Sequence, residues 1–583
     1  MTSKGSNRDV ATLLENIASL LEIKGENRFK IIAYRRAAEN IADLGIELRQ
    51  LIQEGGLREV PGIGEAIAAK IEEYLKTGRL GFYEELISEV PESLLALAEL
   101  PEMGPKRIRS MWEQLGITDL RSLEEAARKG FIRQLEGFGP RIEEKVLWGI
   151  EKAKEKKMPG RISLGEAWFI ATDMVDSLRG HEGLMKVSIA GSLRRMQETI
   201  GDIDILAASV DPSSIMSYFV SLPQVEEVLL QGPTKTSVRL YSSGLQVDLR
   251  VMDPDRWGTA MQYFTGNQEH NVMMREWSLK KGFSLSEYSL KKVSNGKETL
   301  FGEEGPLYEF LGLQYIPPEL RQGRDEIELA SLGHLPDLVR LEDIRGDLQS
   351  HTDWSDGKAS LDDMTRGAIR RGLEYLLITD HSHGLGVARG VSPEDLDSQG
   401  ERIDELNSGF KGSFRILKGV EVEIRADGSL DLELSVLKKL DLVVAAVHSS
   451  LRQEREKITA RYLKALENPF VHILAHPTGR LINTRDGADA DWEVIFRKAA
   501  EKKVLLEINA SPQRLDLPDR LIRRALELGC LFVVNTDSHS PEQFDFLEFG
   551  VGMARRGGLT TRHIANCWSL KELMKWKGNR SSS

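Results

Sequence analysis

Disulfides cannot hold this fold together. Cys530 and Cys567 are the only cysteines in 583 residues, too few for a disulfide framework, so a reducing compartment is expected. Long apolar runs are missing too: nothing approaches the roughly 18 apolar residues of a membrane span, and no apolar segment with a cleavage-like site opens the chain. A cytoplasmic protein with no membrane partner is the expectation. Net positive charge is also absent. Lys and Arg total 78 against 90 Asp and Glu, a formal charge of −12, which argues against indiscriminate polyanion binding. Any contact with nucleic acid must therefore come from local geometry. What remains, 41% hydrophobic and 29% charged residues, reads as a folded chain of about four domains at roughly 150 residues each.

Residues 8 to 155 read as short amphipathic helices, with Val10, Leu13, Leu14, Ile17 and Leu20 at three and four residue spacing. Three glycine-centred turns punctuate them: VPGIG (Val60 to Gly64), LPEMG (Leu100 to Gly104) and LEGFG (Leu135 to Gly139). Each suits a helix, a tight turn and a second helix whose first amides can receive a phosphate. The Lys-rich stretch Glu151 to Gly160 reads as a hinge. Beyond it, VSIAGS, DIDILAA and LQVDLRV read as strands, with a crossover helix between Asp211 and Ser237 and a small unit from Trp257 to about Leu313. Residues 314–344 are rich in proline and polar groups and suit a surface-wrapping linker.

Asp202 and Asp204 are two apart, so on a strand their side chains leave the same face. Asp248 can join them from a neighbouring strand. Three carboxylates on one sheet repel unless divalent cations sit between them, and two Mg²⁺ could align a hydroxyl with an α-phosphate. Gly191 and Ser192 end the preceding strand in a turn suited to a triphosphate, with Arg194 or Arg195 to neutralise its charge.

In the last 240 or so residues, seven strand-like segments (GDLQSH, YLLITDH, LKGVEVEI, DLVVAAVH, FVHILAH, VLLEIN, LFVVNTD) alternate with helical ones and end in His, Asp, Glu or Asn. An incomplete α/β barrel with ligands at the C-terminal strand ends is expected. His351, Asp356, His381, Glu421, His448, His476, Asp537 and His539 form the candidate metal set, with Asp380 and Asn509 at further strand ends. Imidazole and carboxylate together suit two or three ions of Mn²⁺, Zn²⁺ or iron. Glu421 is the candidate bridge, and Arg480 or Lys418 the candidate phosphate neutraliser.

With these motifs in this order, nearly the whole chain resembles the family X DNA polymerases, in the bacterial form that carries a C-terminal polymerase and histidinol phosphatase (PHP) domain. The resemblance implies a multidomain α/β protein. Its parts would be an N-terminal helix-hairpin-helix domain (1–82), helical fingers (83–157), a nucleotidyltransferase-type mixed-sheet palm (158–253), a thumb (254–313), a linker (314–344) and a distorted (β/α)7 PHP barrel (345–583).

By resemblance, Asp202, Asp204 and Asp248 bind Mg²⁺ or Mn²⁺, and Asp248 also assists removal of the primer hydroxyl proton. The segment Tyr263 to Arg275 is similar to the family's nucleotide-selecting motif. Tyr263 and Phe264 would face the sugar, Gly266 would let a backbone turn approach it, Asn271 would contact the base, and Arg275 would complete the pocket. Gly62, Gly64, Gly104 and Lys106 would grip DNA backbone without reading sequence; the Gly139 turn is a looser match with no separate activity. Lys70 matches the Schiff-base lysine of members that remove 5′-deoxyribose phosphate, with Tyr34, Arg35 and Lys30 nearby and Ala66 at another basic position. The PHP motif commonly opens with His-x-His, whereas this chain has Gln349, a weak oxygen donor, before His351.

The expected function is gap filling in base excision repair: template-directed dNTP addition on gapped or nicked DNA by a monomer, coupled to 3′–5′ exonuclease or 3′-end processing in the PHP domain. AP endonuclease and lyase activities are additional expectations. The rivals are a nucleotidyltransferase whose PHP domain hydrolyses a small phosphate monoester, and a DNA-end scaffold with one degenerate site.

Overall fold

The computed structural model describes residues 7–42, 48, 51–52, 56–60, 62–98, 100, 103–135, 137–139, 142–143, 145–147, 161–241, 243–384 and 388–581. Two compact units separate, one formed mainly by Met1–Gly160 and the other by Arg161–Leu385 with Arg389–Ser583. The expected hinge, Glu151 to Gly160, lies outside the described residues.

The N-terminal unit is helical where it is described, with helices Asn7–Lys24, Arg28–Ala42, Glu65–Thr77, Gly81–Glu89, Pro105–Leu115 and Leu120–Arg128. On the first helix Val10, Leu14, Ile17 and Leu20 are buried along one stripe, as their spacing requires. Gly78 (φ 71°) and Gly116 (φ 65°) stop two of the helices in the left-handed region, each closing its cap with a backbone bond. A single core joins Ile67 and Ile71 to Leu86, Met103, Ile108 and Met111, on both sides of the 82/83 boundary.

The second unit begins with the palm. Its five-stranded mixed sheet runs in the order Lys186–Ile189, Asp202–Ala208, Gln246–Met252, Lys235–Leu240, Val225–Gln231. Asp202–Ala208 and Gln246–Met252 are parallel neighbours. The crossover helix is Pro212–Val220, opened by an Asp211 cap and a proline in the first turn. Two strands were not legible. Val225–Gln231 is an edge strand whose residues are nearly all exposed, so it lacks the alternation that marks a half-buried strand.

The thumb sets helices Gln268–Lys280 and Glu304–Phe310 against a small antiparallel sheet. The first part of 314–344 is not the surface linker its composition suggested. Ile316, Ile327 and Ala330 share a core with Met274, Leu307 and Tyr308. Arg321 is wholly buried, donating to Glu304 Oε1 at 2.7 Å and to the Ile316 carbonyl at 2.9 Å. Polar composition was misleading because these groups meet partners inside the fold rather than water.

Glu304 also takes Arg194 Nη2 at 2.7 Å. Burial opposes its ionisation, but Arg321 and Arg194 outweigh burial and bring it down to about 2. A depressed carboxylate contributes stability above its unfolded value, near 4.3, and loses that contribution as pH falls through about 2. Glu304→Gln is therefore expected to weaken thumb amide protection by about 3 kcal/mol at pH 7. The gap from wild type should narrow between pH 5 and 2, read by hydrogen exchange; a gap independent of pH would refute the assignment.

The C-terminal domain carries the seven expected strand segments as eight pieces, because LKGVEVEI is broken into Arg415–Lys418 and Glu421–Glu423. A Cβ on Gly419 would lie 2.7 Å from the Ile378 carbonyl, so the break needs glycine. A three-stranded parallel sheet ends at this break and a five-stranded one begins, each in sequence order. Single bridges, His381 with Glu421 and Ser350 with Ser538, join the two sheets. The expected ring is thus two parallel sheets linked at isolated points, with no continuous ladder closing it among the described residues.

This domain packs on the palm within one core. Phe549 meets Trp168 and Phe169 edge-on, with ring centroids 6.2 and 6.3 Å away. A Cβ on Gly165 would come within 2.4 Å of the Pro512 ring, so the bare glycine backbone lets that ring pack against the helix.

Candidate active sites

The parallel register places Asp204 directly beside Asp248, and Asp202 beside Gln246. Asp202 and Asp204 stand at a cleft of about 650 Å³ lined also by Gly191, Ser192, Arg195, Tyr263, Phe264, Gly266, Asn271 and Arg275. Every residue expected at the nucleotide is therefore gathered around one opening. Burial, then the charges of Asp202 and Asp248, push Asp204 up to about 7. Burial also opposes ionisation of Asp248, but hydrogen bonds from Lys235, Gln246 and Ser237 keep it below the usual range. Lys235 Nζ is 2.5 Å from Asp248 Oδ2, and Gln246 Nε2 donates to Oδ1 at 2.8 Å. Such an acidic group fits divalent cations: the crowded charge that keeps a proton on Asp204 is what a cation would relieve.

Arg194 and Arg195 have different tasks. Arg194 is tied to Glu304 and, at 2.5 Å, to Thr265 Oγ1, whereas Arg195 lines the cleft and donates to the Thr265 carbonyl. Asn271 donates to the Tyr263 carbonyl at 2.8 Å and accepts from Gln262 at 2.8 Å, so meeting a base requires it to change partners. Gly191 has φ 60°, and a Cβ there would sit 2.0 Å from Asp204 Oδ2. Gly191→Ala is expected to cut nucleotide incorporation by about 10²-fold or more through displacement of that carboxylate; single-turnover incorporation at the wild-type rate would disprove it.

The glycine turns share one construction. The N–H groups of Ile63, Met103 and Phe138 bond to the carbonyls of Val60, Leu100 and Leu135, and Gly64, Gly104 and Gly139 then accept the first helical bonds. Gly62 (φ 83°) and Gly137 (φ 80°) occupy matching left-handed positions. Gly64 and Gly104 cap helices without a side-chain bond, and nothing lies within 4 Å of the Cβ position of either. Lys106 is exposed in the second of these helices. Nearby in the first hairpin, Lys70 and Lys30 lie 4.9 and 5.4 Å from the centre of the Phe82 ring, on which Tyr34 stacks at 6.1 Å.

In the C-terminal domain the strand ends converge as expected. Three overlapping groups bring ligand atoms within 4.8 Å of one another: His351, Asp356, His381 and His539; His381, Glu421 and His448; and His351, Glu421 and Asp537. His476 joins through Nε2, 3.0 Å from Glu421 Oε1. Glu421, shared by two of the groups, is also 3.4 Å from His351, 3.2 Å from His381 and 3.3 Å from His448. Two members, His476 (φ 24°) and Asp537 (φ 56°), have left-handed backbones, a conformation that costs energy and clusters at functional sites.

The donors fit divalent ions. Among the described residues, His351 Nε2, His381 Nδ1, Glu421 Oε2 and Gln349 Oε1 are buried without a well-aligned hydrogen bond, although the first three lie within 3.4 Å of opposite charges. Such crowded buried donors and acceptors suit a shared cation. Gln349 otherwise reaches Asp537 only weakly, at 3.5 Å. Burial disfavours imidazolium, yet Asp537, Glu421 and Asp356 push His351 up to about 10, and Glu421 with Glu423 does the same for His448. A cation entering at neutral pH would displace these protons.

Several participants were not legible in sequence. Glu423 lies 2.7 Å from His448 Nδ1 and leaves Nε2 toward Glu421, while His539 Nδ1 is held by the Asp537 carbonyl at 2.8 Å. The alternation in VEVEI, two carboxylates on one face, was the available signal for Glu423. Arg480 and Lys418 do not serve the cluster: Arg480 crosses to Glu198 of the palm at 2.9 Å, and Lys418 pairs with Asp404 at 2.6 Å. Arg514 is the cation at this centre, 3.6 Å from Asp537. Asp380 is occupied by Thr352, Ser355 and Gln399, and Asn509 donates to Asp537 at 3.1 Å.

A mixed-sheet palm with a carboxylate-bearing cleft, a thumb and a histidine-rich parallel α/β domain define a protein with two centres for phosphate-ester chemistry. Family models agree part by part: a helix-hairpin-helix domain matches residues 5–80, a SAM-like helix-hairpin-helix tandem 94–152, a DNA polymerase beta thumb 260–322 and a PHP domain 347–511. The DNA polymerase/3′-5′ exonuclease PolX of Bacillus subtilis is 39% identical over 567 residues, 97% of this chain and 98% of that protein. A probable phosphatase of Thermoanaerobacter sp. is 28% identical over 246 residues, 40% of this chain and 94% of its own length. The chain belongs to the PolX family, the PHP-bearing branch of the family X DNA polymerases.

Proposed function

We propose that this protein fills short gaps in DNA by template-directed addition of dNTPs and trims 3′ ends with its PHP domain. The observation that carries this reading is the meeting of Asp202 and Asp204 at a cleft lined by residues of the Gly191–Arg195 turn and the Tyr263–Arg275 segment, with Asp248 directly beside Asp204 on the neighbouring strand. In the palm the primer 3′ oxygen attacks the α-phosphate and pyrophosphate leaves. Arg195 holds the triphosphate, Tyr263, Phe264 and Gly266 shape the sugar side, and Asp248 stays ionised to receive the proton once Lys235 lets go. Mg²⁺ or Mn²⁺ bound by the three aspartates would align the reacting oxygens and neutralise charge.

In the PHP centre His351, Asp356, His381, Glu421, His448, His476, Asp537 and His539 would hold two or three divalent ions, which would supply water activation and charge neutralisation at a phosphodiester. Arg514 would neutralise the scissile phosphate, and Glu423 orients His448. The amide-bearing turns at Gly64 and Gly104, with Lys106, would take backbone phosphates of gapped DNA. A small phosphate monoester needs no such turns.

The test is a 5′-labelled primer facing a one-nucleotide gap, with Mg²⁺ or Mn²⁺, with and without dNTPs. Extension with dNTPs and shortening without them support the reading; neither under any condition sinks it. The convergence of Lys70 and Lys30 on Phe82 beside Tyr34 supports a second activity, excision of 5′-deoxyribose phosphate through a Schiff base on Lys70. Borohydride should trap wild type but not Lys70→Ala on an incised abasic site. Incision at intact abasic sites, the remaining candidate of the PHP centre, is read on the same substrate before cleavage.

A further inference from the structure

We propose that Arg556, a residue of the C-terminal domain, positions Arg195 of the palm, so that the nucleotide site is completed by the domain that carries the other centre. This rests on the reading of the palm cleft as the dNTP site. Arg556 ends the helix Leu547–Arg556 and is 5% exposed. Its Nη1 donates to the Arg195 carbonyl at 2.8 Å and its Nη2 to Asp519 Oδ2 at 2.7 Å. The Asp519 pair fixes the plane of the guanidinium, and the fork then fixes the carbonyl it meets.

Arg195 is held at both ends. Its carbonyl is taken by Arg556, while its own guanidinium reaches the Thr265 carbonyl beside Gly266. The next residue, Met196, is left-handed at φ 52°, and its Cγ lies 2.8 Å from where a Cβ on Gly552 would stand. A non-glycine residue in that conformation persists when its surroundings over-determine it. Here the helix Leu547–Arg556 supplies both constraints, a polar one through Arg556 and a steric one through the bare backbone of Gly552.

The pairing also has an electrostatic side. Arg195 Nε is buried without a partner. Burial, then the adjacent Arg556 charge, lowers Arg195 to about 10, which leaves it cationic at neutral pH. A desolvated cation beside another cation gains most from a polyanion, which a triphosphate provides. The same helix end reaches the thumb: Arg555 donates to Glu319 at 2.7 Å, and the Arg556 carbonyl accepts from Gln322 at 3.2 Å. Among the described residues, the hydrogen bonds and ion pairs of Arg556 include no member of the metal cluster, so a positioning role should be visible in one activity only.

Gap-filling kinetics of the full chain test this, with wild type, Arg556→Ala, Arg556→Lys, Asp519→Asn, Arg195→Ala and the Arg195→Ala/Arg556→Ala double variant. Arg556→Ala is expected to raise the dNTP KM about ten-fold with kcat within about three-fold, and to leave 3′ shortening and bound metal as in wild type. Arg556→Lys, which keeps a donor to the carbonyl, should recover most of the KM, and Asp519→Asn should fall between. In the Arg195→Ala background, adding Arg556→Ala should change KM less than about two-fold, because both act through one group. A wild-type KM in Arg556→Ala, additive effects in the double variant, or equal loss of both activities would each overturn the proposal. Failure of wild type to incorporate any dNTP would instead overturn the reading of the cleft, and this inference with it.

Discussion

Replacing Asp204 by Asn should abolish nucleotide addition, by about 10³-fold or more, and at the same time make the metal-free protein more stable. Both follow from one environment. Asp204 is paired across the strands with Asp248 and shares a face with Asp202, and burial followed by those two charges pushes it up to about 7. A carboxyl whose folded pKa is raised destabilises the fold as pH climbs above the unfolded value, near 3.9, until the folded value is passed. Asparagine keeps the shape and removes that penalty, but it removes an anionic metal ligand as well. Extension should vanish in single-turnover assays while the melting temperature without metal rises and 3′ shortening continues. Retained extension would show that the cleft is not the polymerising centre. For wild type the same linkage means that cation binding at the palm expels a proton, so extension at limiting Mg²⁺ should decline below about pH 7.

Glu421→Gln carries the second large effect. Glu421 is 1% exposed and lies within 3.0 to 3.4 Å of His351, His381, His448 and His476. Its charge is one of those that push His351 and His448 up to about 10, and burial on its own would do the opposite. Without it, two of the three ligand groups lose their shared anion, and metal bound per chain should fall by at least one ion. Shortening of 3′ ends should drop by about 10³-fold or more, with gap filling retained. Metal analysis of the purified variant checks the first point and an end-labelled primer the second. Unchanged metal content would remove Glu421 from its bridging place.

The chemistry was more legible than the architecture that supports it. His448 and His476 could be picked out because each ends an apolar run, and ends of adjacent parallel strands lie on one edge of a sheet. Asp202 and Asp204 could be picked out because their two-residue spacing puts both on one face of a strand. Arg514 carried no such mark: it sits in a loop after a strand end, and its approach to Asp537 depends on the path of that loop. Arg480 misled for the converse reason. Its place beside His476 in sequence suggested phosphate, but its guanidinium reaches Glu198 on the palm. Composition also misplaced the 314–344 segment, since nothing in the order of residues told that Arg321 would find Glu304 inside the thumb.

By itself the sequence determined the local grammar: helical hairpins turned at glycine, a strand presenting two aspartates, and parallel strands ending in metal-binding side chains. Those features depend on residue periodicity and backbone preference, which act over a few neighbours. Only the tertiary structure decided which cations face which carboxylates, and that Arg556, at the end of the helix Leu547–Arg556, donates to the Arg195 carbonyl. These pairings join residues as far apart as Arg195 and Arg556, and they follow from how whole domains bury their faces against one another, a property that no local pattern encodes.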